Sequence, residues 1–144
     1  MRKGHLLALG LLGVTSWLGV PAAHAAATSE HADLTGAEEV PNPGPAGARG
    51  SAAITLDDAA NTVCYQLTYE GIGKPTMAHI HTGAKGVAGP PAVNFDIAKN
   101  GDKGCVPADP SVLAAIRDDP AGHYVNIHTA EFPKGAIRGQ LTKV

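Results

Sequence analysis

The stretch "TVCYQLTYE", residues 62–70, decides the class of fold because its apolar and polar side chains alternate. One set of alternate positions holds the apolar residues Val63, Tyr65, Leu67 and Tyr69. Successive side chains of a β-strand point to opposite sides, so these residues share one face of an extended chain. An amphipathic α-helix would instead repeat its apolar residues three and four positions apart. The stretch therefore predicts a β-strand with one face in a core and the other toward solvent.

Similar short runs lie on both sides of this strand, separated by segments rich in Gly, Pro and Asn. The predicted strands cover residues 52–56, 77–82, 92–97, 124–129 and 136–142, with a weaker strand near 32–36. The sequence "LDDAANT" between the second and third strands is typical of a hairpin loop. Together these runs predict about seven short strands.

A single short helix is predicted after Asp109. Asp109 suits the N-cap, and Pro110 suits the first helical position, where its missing N–H is not needed. Val112, Leu113 and Ile116 then form an apolar stripe at helical spacing. About seven strands and one helix predict an all-β fold, an antiparallel β-sandwich with the helix packed over one end.

Residues 1–25 have the parts of a secretory signal peptide. A basic start at Arg2 and Lys3 precedes an apolar run, and the small residues "AHA" end the segment as a cleavage site. The apolar run is short and interrupted by glycine, which does not favour a membrane anchor. We therefore expect cleavage before Ala26, one domain over residues 26–144, and a secreted protein that is extracellular or in the periplasm or cell envelope, without membrane insertion.

Charge and motifs narrow the function. The 11 Lys and Arg residues include Arg2 and Lys3, so residues 26–144 keep nine against 13 acidic residues, a net charge of −4. A mildly acidic chain without basic clusters argues against nucleic acid as a partner. The chain has no G-x-S-x-G and no H-E-x-x-H signature, so its sequence does not favour an enzyme.

Cys64 and Cys105 are the two cysteines of the chain. In an exported protein, two cysteines most simply form one disulfide. Closing that loop is expected to contribute on the order of 4 kcal/mol to stability. The weaker alternative is a pair of metal-binding or redox thiols, because the spacing is far from C-x-x-C.

Histidines are concentrated in two of the predicted strands. His79 and His81 share one face of the strand at 77–82, with the two positions roughly 6.6 Å apart along the chain. His128 can join them if its strand pairs with or faces the first one, whereas His123 points to the opposite face. Three such imidazoles suit zinc or copper. The alternative is that these histidines are structural and hydrogen-bond to backbone or carboxylate groups.

Six stretches, taken in order, resemble the CHRD domain. They are "LTGAEEVP" (34–41), "TVCYQLTYEGI" (62–72), "AHIHTGAKGVAGPPAV" (78–93), "PSVLAAIRDDPAGHY" (110–124), "YVNIHT" (124–129) and "KGAIRGQL" (134–141). That domain is named after chordin, an extracellular antagonist of bone morphogenetic proteins, and has many bacterial members. The resemblance implies a Greek-key, immunoglobulin-like β-sandwich over nearly all of residues 26–144.

The family's C-terminal motif, of the form G-E-[I/L]-R-x-G-[V/I/L], reads "GAIRGQL" at residues 135–141. Arg138 is kept, Ala136 replaces the glutamate, and a glycine follows the arginine directly. A faint similarity to copper–zinc superoxide dismutases places the three histidines and Arg138 in a similar order, without the bridging histidine or the zinc loop. We expect Arg138 to pair with a carboxylate at an edge of the sandwich rather than to guide an anion. We expect no dismutase activity.

Two functions remain open from the sequence. The favoured one is a secreted binding module whose partner is an unknown extracellular protein or envelope component. The alternative is a copper- or zinc-binding protein that uses His79, His81 and His128 as ligands. A purely structural envelope protein, in which the histidines fix loops, is a third interpretation.

Overall fold

The computed structural model describes residues 26–144, and the predicted signal peptide lies outside the described residues. The strands are β1 (Thr28–Thr35), β2 (Arg49–Asp57), β3 (Thr62–Glu70), β4 (Pro75–Thr82), β5 (Pro91–Phe95), β6 (Lys103–Pro107), β7 (His123–Thr129), β8 (Ile137–Gln140) and β9 (Thr142–Lys143). The helices are α1 (Ile97–Asn100) and α2 (Pro110–Asp118), and two 3-10 turns lie at Gly36–Glu38 and Pro120–Gly122.

All strands belong to one antiparallel sheet in the order β5-β4-β7-β8-β1-β2-β3-β6, and β9 pairs with β1. The edge strands β5 and β6 come near each other. Tyr65 of β3, the neighbour of β6, stacks on Phe95 of β5 with ring centroids 4.4 Å apart. The sheet is therefore nearly closed and barrel-like.

The predicted fold class is confirmed as all-β and antiparallel with one short amphipathic helix. The finer prediction differs, because nine strands form one curled sheet and not clearly a seven-stranded Greek-key sandwich. Strand β6 was missed because "KGCVP" carries a glycine and a proline, both depleted in strands. Strand β5 ends at Phe95, two residues before the end of the predicted strand 92–97, because Asp96 caps α1 by accepting a hydrogen bond from the Lys99 N–H.

The core confirms the alternation of the strand at residues 62–70. In the β2–β3 pairing, Ile54 lies opposite Tyr65 and Leu56 opposite Val63, and all four side chains are buried. Tyr69, at the end of the strand, is only partly buried. Leu113 and Ile116 of α2 are also fully buried, so the helix packs its predicted stripe onto the core. Asp109 is at the N-cap position, where its carbonyl accepts from the N–H groups of the first turn but its side chain makes no cap.

The predicted disulfide between Cys64 and Cys105 is present. The two cysteines are directly opposite each other in the antiparallel pairing of β3 with β6. The bond closes a loop with a sequence separation of 41 residues. It therefore fixes the edge strand β6 to the sheet at the point where the barrel nearly closes.

No helix within residues 26–144 has both the length and the apolar character that crossing a membrane requires.

Replacing both cysteines with alanine should destabilise the protein, since the unfolded chain regains the freedom that the cross-link removes. We expect the free energy of unfolding to fall by roughly 2–4 kcal/mol, measured by urea denaturation at pH 7. A reducing agent should have the same effect on the wild type and none on the double variant. Equal stability of wild type and variant under oxidising conditions would contradict this role.

Candidate metal centre

The candidate site is one face of three neighbouring strands, β4, β7 and β8. Antiparallel pairing aligns two rows of side chains across this face. The rows are His79, Asn126 and Arg138, and then His81, Tyr124 and Gln140. The opposite face of the same strands carries Ile80, Val125 and Ile127, which are fully buried in the core. Packing of the apolar face therefore presents the polar side chains together on the other.

The structure brings the three histidines singled out from the sequence together. His79 Nδ1 lies 3.0 Å from His128 Nε2. One possible ligand atom from each of His79, His81 and His128 lies within 4.8 Å of the others. His123, at the start of β7, lies apart from this group with its Nδ1 2.8 Å from the carbonyl of Asp119. His123 therefore lies apart from the other three histidines, as the alternation of its strand predicted.

Backbone carbonyls orient two of the imidazoles. His81 donates through Nδ1 to the carbonyl of Gly89 at 2.8 Å, and His128 donates through Nδ1 to the carbonyl of Pro133 at 3.0 Å. A neutral imidazole that donates through Nδ1 keeps its lone pair on Nε2. The His81 Nε2 atom is buried and has no hydrogen-bond partner. Histidines that bind metals are usually oriented by this kind of hydrogen bond.

Burial keeps the imidazoles uncharged near neutral pH. Burial, together with the neighbouring His128 and His81, lowers the pKa of His79 to about 4. Burial also lowers the pKa of His81 and of His128. At pH 7 all three rings are therefore neutral and have lone pairs to offer, which is the form that binds a metal.

Asn126 lies at the centre of the polar face and was not singled out from the sequence. Its side chain is buried, and its Oδ1 atom is 3.1 Å from His128 Nε2. Asn126 also raises the pKa of His79 and of His81, against the larger lowering by burial. The signal available in the sequence was the alternation of β7, which places Asn126 on the same face as His128.

Arg138 is also on this face, but its surroundings differ from those predicted. The side chain is only 1% exposed, and its guanidinium carbon lies 3.4 Å from the centre of the Tyr124 ring. Nη2 donates to the carbonyl of Ala84 at 2.9 Å and to Gln140 Oε1 at 3.0 Å. These partners are a loop carbonyl and an amide oxygen and not the carboxylate predicted at an edge of the sandwich, because β8 lies inside the sheet between β7 and β1.

Glu39 is a buried acidic residue whose carboxyl feels the charge of Arg138. No sequence motif singled it out. Its side chain is buried against Gly135, where the carboxyl occupies the space that a Cβ would need. Burial raises its pKa to about 7, opposed by the charge of Arg138 and by hydrogen bonds from Val40 and Asn126. Glu39 therefore connects to the histidines through Asn126.

The fold and the site define a small, nearly closed antiparallel β-barrel with a cluster of three histidines on one polar face. The family model of the CHRD domain matches residues 31–141, which include every residue of this face. The chain therefore belongs to the CHRD domain family, as its sequence motifs indicated. Comparison with curated proteins and with solved structures gives no significant match.

The low pKa of His79 makes stability depend on pH. The unfolded chain binds a proton on this ring below pH of about 6.5, whereas the folded protein does so only near pH 4. The stability that His79 contributes is therefore fully present above pH of about 6.5 and is lost as the pH falls toward 4. We expect His79→Gln to reduce this loss, measured by urea denaturation between pH 7 and pH 4.5.

The matched control is His31→Gln, because the His31 side chain lies outside the cluster and bonds to the exposed Asp33. This variant should keep the pH dependence of the wild type. Glu39 acts in the opposite direction, since its raised pKa removes stability as the pH rises through about 7, but it is unchanged in all three proteins. Identical curves for wild type and His79→Gln would contradict the prediction.

Proposed function

We propose that this CHRD-domain protein binds a transition-metal ion, copper or zinc, through His79, His81 and His128. The observation that carries the proposal is the convergence of one ligand atom from each ring within 4.8 Å. Three neutral imidazoles at this spacing match the ligand types and number that zinc and copper take in proteins. A fourth position is left for water or another ligand.

The hydrogen bonds support a metal site over histidines that only fix loops. A structural imidazole normally uses both ring nitrogens, whereas the buried Nε2 of His81 has no partner. Leaving such an atom unpaired costs roughly 1–3 kcal/mol. The His79 ring can donate its Nδ1 proton to His128 Nε2, 3.0 Å away, so this pair is satisfied with or without an ion. The unpaired Nε2 of His81 is therefore the atom that favours a metal site, because an ion would accept its lone pair.

The ligand set contains no charged group. The cluster holds histidines alone, without a cysteine or a carboxylate among the described residues. Bound metal therefore keeps its positive charge, and an exogenous anion or water can bind in the open position. The residues of this chain hold and orient the ion, and the loops that supply the Gly89 and Pro133 carbonyls keep the rings in place.

The second part of the proposal is that the domain acts outside the cytoplasm. Its support is the signal-peptide pattern of residues 1–25, the disulfide between Cys64 and Cys105, and membership of the CHRD family. Disulfides persist in oxidising compartments. Binding of an extracellular protein or envelope component stays a prediction, and a metal-binding domain in that compartment is compatible with it.

Metal titration tests the function directly. We expect the purified wild type to bind one zinc or copper ion per chain. His81→Ala should weaken binding by more than about 100-fold, because loss of a ligand costs more than loss of a residue that only hydrogen-bonds to a ligand. Affinity is measured by competition with a chromophoric chelator and stoichiometry by elemental analysis. Binding should also raise the melting temperature of the wild type, because the ion binds the folded state.

His31→Ala is the control, since it removes an exposed imidazole without touching the cluster. It should bind metal as the wild type does. Substoichiometric metal that is equal in wild type and His81→Ala would show that the histidines are structural.

A further inference from the structure

Met77 lies beside the histidine cluster, on the same strand and the same face. It precedes His79 by two residues in β4, and the antiparallel pairing places it directly opposite His128 of β7. The register is regular from Met77 to Thr82, so alternate residues 77, 79 and 81 point to one side. Side chains directly opposite on one face have Cβ atoms roughly 4.5–5.5 Å apart, so Met77 and His128 are neighbours.

The burial pattern agrees with this placement. Ala78 and Ile80, on the other face of β4, are fully buried in the core. Met77 is 46% exposed, one of three large hydrophobic residues exposed within residues 26–144. An unbranched side chain with three rotatable bonds can move its sulfur over a neighbouring group. The thioether of Met77 is therefore within reach of His79 and His128 from the solvent side of the site.

The chemistry of this group of side chains selects among metals. A thioether is a soft ligand that favours Cu(I), whereas zinc in proteins is held by thiolate, imidazole and carboxylate. The cluster holds no carboxylate or thiolate among the described residues, and Arg138 lies on the same face, where its positive charge disfavours a cation of higher charge. A soft, singly charged ion therefore suits the site better than a dication.

We propose that Met77 is a fourth ligand of the site and that the site is selective for copper in the Cu(I) state. This inference rests on the proposed metal-binding function of the three histidines. It specifies the ion, adds a residue that the histidine pattern alone does not include, and assigns a role to an exposed methionine that packs into no core. The solvent-exposed thioether is also the first ligand that an incoming ion meets.

The sulfur content of the chain makes the proposal directly measurable. Met77 is the one methionine within residues 26–144. Both cysteines are joined in the disulfide on β3 and β6, strands that do not border β4 or β7. X-ray absorption at the copper edge of the Cu(I)-loaded protein should therefore show one sulfur neighbour besides nitrogen. That sulfur signal should be absent in Met77→Leu.

Affinities for two ions test selectivity. Cu(I) is measured by competition with bathocuproine disulfonate and Zn²⁺ by competition with a chromophoric zinc chelator, in wild type, Met77→Leu and Val144→Ala. We expect Met77→Leu to weaken Cu(I) binding about tenfold, the equivalent of about 1.4 kcal/mol, and to leave Zn²⁺ affinity unchanged. Val144→Ala changes another exposed apolar residue and should leave both affinities as in the wild type.

The outcomes separate this inference from the function it rests on. If Met77→Leu binds Cu(I) as tightly as the wild type and no sulfur neighbour is seen, Met77 is not a ligand, although the three-histidine site stands. Equal weakening of Cu(I) and Zn²⁺ would overturn the selectivity. A wild type that binds neither ion would overturn the metal-binding function itself.

Discussion

The pairing register of β4 with β7 is the constraint on which the site depends. It places Ala78 opposite Ile127 and Ile80 opposite Val125, and all four side chains are fully buried. A slip of one residue would turn these side chains toward the polar face and the histidines into the core. The hydrophobic effect thus fixes the register, and the register then determines which polar side chains meet. The imidazoles converge because the core beneath them cannot pack in another way.

This arrangement requires the fold to bury polar groups that do not stabilise it by themselves. Arg138 and Glu39 are buried near each other, and each keeps one polar atom without a hydrogen-bond partner. Such atoms cost stability, and a barrel built for stability alone would place apolar side chains there. Loop carbonyls offset part of the cost at Arg138 and at His81. Of the five unpaired buried side-chain atoms among residues 26–144, three belong to Glu39, His81 and Arg138 on or beside the polar face, and the other two belong to Glu30 of β1. Unpaired atoms grouped on one face are consistent with a surface that binds a ligand.

The alternation of apolar and polar residues in the strands made the fold class and the shared face of the histidines predictable. The closure of the sheet, strand β6 and the orientation of the imidazoles instead depend on contacts between residues far apart in the chain. The same alternation fits a sandwich and a barrel, and the difference lies in closure, where Tyr65 of β3 meets Phe95 of β5. Strand β6 has weak strand-forming residues and is held by pairing and by the disulfide. The carbonyls of Gly89 and Pro133 orient the imidazoles through the path of two loops, and no residue type indicates such a path.

The scaffold holds the candidate site in place independently of any ion. Small zinc domains fold only with their metal, because their ligands are also their main cross-links. Here a continuous aliphatic core and a disulfide hold the strands, and backbone carbonyls already orient His81 and His128. An ion that binds this face therefore has little chain to order, so most of its ligand interactions contribute to affinity. The same preorganisation would keep the barrel folded without an ion, so the proposed metal binding can be reversible.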